Sequence, residues 1–147
     1  MNVKLVTIGF LSVAFVLVLS GCSYLTEFYI QNLTGSKKII KINYNYPVSK
    51  AINNDPASFG FNYENEVLSS KAFRKINNLK SLEKIEVKDS AIVLEIPPNT
   101  TTRIDKSHNG RWRYMIKSVE ADGKIFSTVE LQNITKFISN DYIYKIE

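Results

Sequence analysis

Residues Arg111 to Gln132 read Arg-Trp-Arg-Tyr-Met-Ile-Lys-Ser-Val-Glu-Ala-Asp-Gly-Lys-Ile-Phe-Ser-Thr-Val-Glu-Leu-Gln. At their centre stands Asp122-Gly123, a dipeptide that tolerates the positive φ of a two-residue hairpin turn. Closing the turn with Ala121 opposite Lys124 sets every other pair. Ile116 then meets Val129 and Tyr114 meets Leu131, beside Trp112, on an apolar face. Lys117 meets Thr128 and Arg113 meets Gln132 on a polar face. Val119 opposite Phe126 is an exception, an apolar pair on the polar side near the turn. The expectation is an antiparallel hairpin with one face buried and one wet.

Working outward, the same period of two recurs. Phe28 and Ile30 alternate with Tyr29 and Gln31, and Ile40, Ile42, Tyr44 and Tyr46 alternate with Lys41, Asn43 and Asn45. With Thr34-Gly35-Ser36 between them, residues 27–46 read as a second hairpin, pairing Ile30 with Ile40 and Phe28 with Ile42. Pro47 ends that strand. Asn53-Asn54-Asp55-Pro56 is a turn or loop, and Phe59, Phe61 and Tyr63 alternate as a short strand would. Leu68, Ala72, Ile76 and Leu79 fit helical spacing, with Ser69 or Ser70 available as a cap, so a short helix is allowed near 68–79. Lys84 to Val87 and Ala91 to Ile96 read as strands joined by a bend at Asp89-Ser90. Pro97-Pro98-Asn99 stops the second, Thr100 to Ile104 follows as a β-branched strand, and Ser107-His108-Asn109-Gly110 reads as a turn. Tyr142 to Ile146 alternates once more. Roughly eight strands with at most one helix point to an all-β fold, an antiparallel β-sandwich of Ig-like kind or a partly closed barrel.

The N-terminus follows a different rule. Lys4 precedes an apolar run from Leu5 to Leu19, and small Ser20 and Gly21 precede Cys22, the only cysteine. Charged start, apolar middle and small-residue end form the layout of a secretory signal, and the run is short for a bilayer-spanning helix. Leu19-Ser20-Gly21-Cys22 resembles the lipobox of bacterial lipoproteins, a resemblance confined to residues 1–22. It implies acylation of Cys22 and cleavage between Gly21 and Cys22. It further implies a domain held outside the cytoplasm on the cell membrane or the outer membrane. By likeness to lipoprotein sorting rules, Ser23 favours the outer membrane. The organisation expected is a signal peptide at 1–21, a lipidated tether at 22–26, and one sandwich domain at 27–147. So short a tether would keep the domain against the headgroups, with the end carrying Glu27 towards the membrane.

Composition narrows the activity. Removing 21 residues from 147 leaves 126, enough for one core, and takes away Lys4 and no acid, so the net charge falls from +5 to +4. That mild, dispersed charge argues against a nucleic-acid groove. Lipidation of Cys22 leaves no thiol for a disulfide or for redox chemistry, and His108 is the only histidine, so a multi-His or multi-Cys metal site is excluded. No Gly-x-Ser-x-Gly and no phosphate-cradling Gly-rich loop is present. Nothing brings two of the fourteen acids together.

The basic-aromatic run Arg111-Trp112-Arg113-Tyr114 invites a ligand. The strand period instead sends Trp112 and Tyr114 inward with Ile116, and Arg111 and Arg113 outward. A contact at the strand's open end, from Trp112, His108 and Arg111, is the residual candidate. The expectation is therefore a non-catalytic binding or structural accessory, without cofactor or metal. Its partners would be membrane lipid, through Cys22, and another envelope protein or a glycan. A carbohydrate-binding module or a hydrolase inhibitor is the alternative. A small hydrolase ranks last and would require a cleft gathering perturbed acids with His108.

Overall fold

The computed structural model describes residues 23–147. The segment read above as a signal peptide, Gly21 and Cys22, expected to be acylated, lie outside the described residues. Among the described residues eleven strands form two sheets. Three of them are only two or three residues long, which is why the sequence suggests fewer. In chain order these are β1 (Leu25–Asn32), β2 (Lys38–Tyr44), β3 (Asn62–Glu64), β4 (Lys80–Ser81), β5 (Lys84–Val87), β6 (Ala91–Ile96), β7 (Thr100–His108), β8 (Ile116–Ala121), β9 (Lys124–Ser127), β10 (Lys136–Ile138) and β11 (Asp141–Ile146). One sheet runs β10-β11-β1-β7-β3-β4 and the other β5-β6-β2-β8-β9. All pairs are antiparallel except β1 with β11. The fold is all-β, two sheets face to face, with no closed barrel.

The principal core lies between the sheets. Phe28, Ile30 and Ile146 from one sheet meet Ile40, Ile42, Ile92, Leu94 and Val119 from the other. A smaller cluster covers the opposite face of the six-stranded sheet, where Tyr29 and Ile143 pack under Phe73, with Leu68 and Leu79 beside them. β1 is thus buried on both faces.

The expected hairpin over 27–46 does not form. Its alternation is real, but β1 pairs with β7 and β11, and β2 pairs with β6 and β8, so the two strands belong to different sheets. Alternation shows which side of a strand is apolar and is blind to the neighbour that supplies the hydrogen bonds. β1 also starts at Leu25, so among the described residues only Ser23 and Tyr24 precede the sheet.

The hairpin at Asp122-Gly123 does form, with Ala121 opposite Lys124 and φ of 50° and 73° at the two turn residues. It ends at Ser118 opposite Ser127, and its faces are the reverse of the expectation. The register of β2 against β8 steps from Asn43–Ser118 to Tyr44–Ile116, leaving Lys117 as the extra residue of a bulge. The bulge lets Ile116 and Val119, three residues apart, both reach the core, and Phe126 packs against that core as well. Tyr114 points the other way and is 74% exposed, and Val129 is 67% exposed.

Among the described residues four short helices stand where at most one was expected: α1 (Val48–Asn54), α2 (Ser70–Phe73), α3 (Trp112–Met115) and α4 (Thr128–Ile134), with a 3-10 turn at Pro56–Phe59. α2 falls in the anticipated place and Ser69 caps it, accepting from the Ala72 amide. α4 takes over where the hairpin was expected to continue. Ser127 accepts from the Glu130 amide while Glu130 accepts from the Ser127 amide, a reciprocal cap that turns the chain out of the sheet and drops Leu131 into the core.

Candidate functional site

Two constellations of polar side chains lie side by side near the start of β1. The first is a buried ion cluster on the outer face of the six-stranded sheet. Glu27 and Asp141 are both fully buried. Arg74, on the segment that crosses this face after α2, donates from Nε to Glu27 at 2.6 Å and from its terminal nitrogen to Asp141. Arg103 on β7 donates to Glu27 at 3.1 Å, and the Tyr29 hydroxyl donates to it at 2.5 Å. Burial pushes the Glu27 carboxyl up. The hydrogen bonds from Tyr29 and Arg74 and the charges of Arg74 and Arg103 outweigh it and hold the group below the usual carboxylate range. Burial and the Glu27 carboxylate together push the Tyr29 phenol up, so it stays protonated as a donor. Glu27 is saturated, so the cluster acts as a clamp, tying the covering segment to the sheet.

The second constellation faces inward. β7 pairs with β1 as Asp105–Phe28 and then Arg103–Tyr29, which leaves Ile104 as a bulge residue. Around this irregularity a cleft of about 520 Å³ opens between the ends of β2 and β7. Tyr44, Tyr46 and Phe59 supply aromatic wall, and Asp105, Ser107 and Arg111 supply polar groups. Asp105 Oδ2, Ser107 Oγ and the Tyr46 hydroxyl are buried with no hydrogen-bond partner among the described residues. Buried polar atoms are nearly always satisfied, so three together in one cleft is a feature of the site. Burial raises the Asp105 carboxyl above its ordinary range and the neighbouring Glu27 charge adds to this, outweighing the Ser107 hydroxyl and the Arg111 charge.

A hollow of similar size lies elsewhere, on the outer face of the five-stranded sheet. Its cations are already matched, Lys38 to Asp122 at 2.9 Å and Lys41 to Glu120 at 3.7 Å, and it presents no orphaned group among the described residues.

Of the residues singled out in the sequence, His108 and Arg111 both line the cleft. Trp112 does not. It is fully buried, stacked on Phe28 at 4.5 Å with Tyr142 edge-on at 5.1 Å. Tyr142 and Tyr144 are likewise engaged, with Phe137 and Phe126, and form no flat exposed platform of the kind a sugar-stacking module presents. Asp105, Tyr44 and Tyr46 were missed. They lie about 60 residues apart in the chain, and alternation alone marks Tyr44 and Tyr46 as core. The acids Glu27 and Asp141 were missed for the same reason, being 114 residues apart. Among the described residues no group of three His, Cys, Asp or Glu side chains is placed to hold a metal ion, and no helix is long and apolar enough to cross a membrane. No family model, curated protein or solved structure matches the chain.

Proposed function

We propose that the chain is a cell-envelope lipoprotein, anchored through acylated Cys22, whose sandwich domain is a non-catalytic binding module with its ligand site in the cleft at Asp105. The observation that carries the binding reading is the convergence of three orphaned polar atoms on one aromatic-walled cleft. A ligand group offering N–H or O–H donors would satisfy them. The lipobox resemblance of Leu19-Ser20-Gly21-Cys22 supports the anchor. The occupant is an envelope component.

A second reading has one observation in its favour, since Asp105, raised by burial, shares its cleft with His108, as an acid-base hydrolase would require. Against it, Ser107 and His108 are neighbours on a strand and project to opposite faces. Asp55, the other acid of the cleft, is committed to the Ser58 hydroxyl and amide.

The test uses full-length protein extracted from membranes. The Cys22→Ser variant is expected to lose lipid labelling and to leave the membrane fraction, whereas continued processing after Gly21 with lipid still attached would sink the anchor. Native mass spectrometry of the wild type is expected to show a co-purifying ligand, unchanged chemically and lost in Asp105→Asn. Recovery of a cleaved product in its place would favour the hydrolase.

A further inference from the structure

The cleft combines three features that select one chemistry. First, its orphaned atoms number three and all can accept: Asp105 Oδ2, Ser107 Oγ and the Tyr46 hydroxyl. A primary ammonium offers three N–H donors. Second, its aromatic rings stand at steep angles to one another. Tyr44 meets Tyr46 at 67° with centroids 5.7 Å apart, and Phe59 at 71° with centroids 6.0 Å apart. Rings packed edge to face in this way form a rigid apolar wall, which keeps water from the buried carboxylate and strengthens its attraction for a cation. Third, the lining also includes Arg111, which is exposed, so a cationic group stands at the rim while the unpaired carboxylate oxygen is buried. A ligand with its positive charge inward and its negative charge outward would match both.

Position then selects the source. Leu25, at the start of β1, pairs with His108 on the cleft rim, and the backbone of Tyr24 exchanges hydrogen bonds with Asn109. Only Ser23 and Tyr24 separate Leu25 from Cys22, a reach of about 10 Å fully extended. With acyl chains on Cys22, the rim would be held in the headgroup layer, where the effective concentration of lipid headgroups is high. Tyr24 and Tyr114, 44% and 74% exposed, flank the same end with the amphipathic rings that suit a water-lipid boundary.

From this geometry we infer that the cleft binds an ethanolamine phosphodiester headgroup of a membrane phospholipid, its ammonium on Asp105, Ser107 and Tyr46 and its phosphate at Arg111. The inference rests on the cleft being the binding site proposed above.

The experiment titrates the detergent-solubilised, lipidated chain by calorimetry with glycerophosphoethanolamine, ethanolamine and glycerol phosphate in turn. Glycerophosphoethanolamine is expected to bind more tightly than either half. Asp105→Asn should weaken it and ethanolamine by about tenfold while leaving glycerol phosphate unchanged. Arg111→Gln should weaken it and glycerol phosphate but spare ethanolamine. Melting curves establish that both variants are folded, and Cys22→Ser should retain soluble-headgroup binding, which separates the cleft from the anchor. Ethanolamine binding as tightly as the diester would overturn the headgroup as the source. Affinity unchanged by Asp105→Asn would overturn the ammonium site. A neutral oligosaccharide or a lysine-bearing peptide binding in place of the diester would refute the headgroup while leaving a binding module. Absence of any cleft ligand would remove both.

Discussion

Replacing Arg74 by Met is the perturbation that most directly tests how the domain holds its covering segment. The substitution keeps the apolar stem and deletes two ion pairs, to Glu27 and to Asp141, whose side chains are both 0% exposed. Removing one partner of a buried pair costs about 3–5 kcal/mol, because the other charge is left stranded. The low end applies here. The Arg74 side chain is itself 32% exposed, and Glu27 keeps Arg103 and Tyr29. Asp141 is left with the Glu27 amide on Oδ1, and its Oδ2 is already orphaned. The expected loss at pH 7 is therefore about 3 kcal/mol.

The pH dependence gives the test a sign. The folded Glu27 value lies below its ordinary 4.5. Its ionised form therefore favours the folded state above 4.5, and that contribution drains away as pH falls through the folded value. Without Arg74, burial is less opposed and the folded value rises, so the variant has less of this contribution to lose. The gap between wild type and variant should be smaller at pH 3 than at pH 7. Guanidinium unfolding at both pH values, followed by the fluorescence of Trp112, the only tryptophan, measures it. A loss under about 1 kcal/mol at pH 7 would place the pair among ordinary surface bridges. An equal gap at both pH values would show that Glu27 is not the group being held ionised.

Two further expectations concern packing and capping, alongside the anchor and cleft experiments given above. Trp112→Ala should cost about 3–5 kcal/mol in denaturant unfolding, since the ring fills space between Phe28 and Tyr142. Trp112→Phe should cost markedly less, because a ring still stacks on Phe28 and fills most of the space, and equal costs would contradict a packing role. Ser127→Ala should cost about 1 kcal/mol and speed hydrogen exchange at the Glu130 amide, whose acceptor it removes. Unchanged exchange there would show that α4 does not depend on its cap.

Several local features could be read directly from the residues. Asp122-Gly123 selects its turn because few dipeptides accept two positive φ values in succession, and Ala121 opposite Lys124 follows from that alone. β5 and β6 are legible because a bend at Asp89-Ser90 joins two alternating runs, and β11 for the same periodicity. α4 was legible too, since Ser127-Thr128-Val129-Glu130 has the spacing of a reciprocal cap. The alternation of Val129 and Leu131 masked it. Local signals can compete, and the cap prevailed because it turns the chain where Leu131 can be buried.

What the residues determine by themselves is periodicity and turn chemistry, because each depends on neighbours within a few positions, and the resemblance of Leu19-Ser20-Gly21-Cys22 to a lipobox is equally local. Only the folded chain decides partners and special sites. β1 joins β7 and β11 because burying both of its faces requires a sheet on one side and a covering segment on the other. The bulges at Ile104 and Lys117 arise from register between strands distant in sequence, and each re-aims side chains that alternation would send elsewhere. The cleft beside Asp105 and the clamp on Glu27 exist only where those long-range registers meet, so no local pattern could announce them.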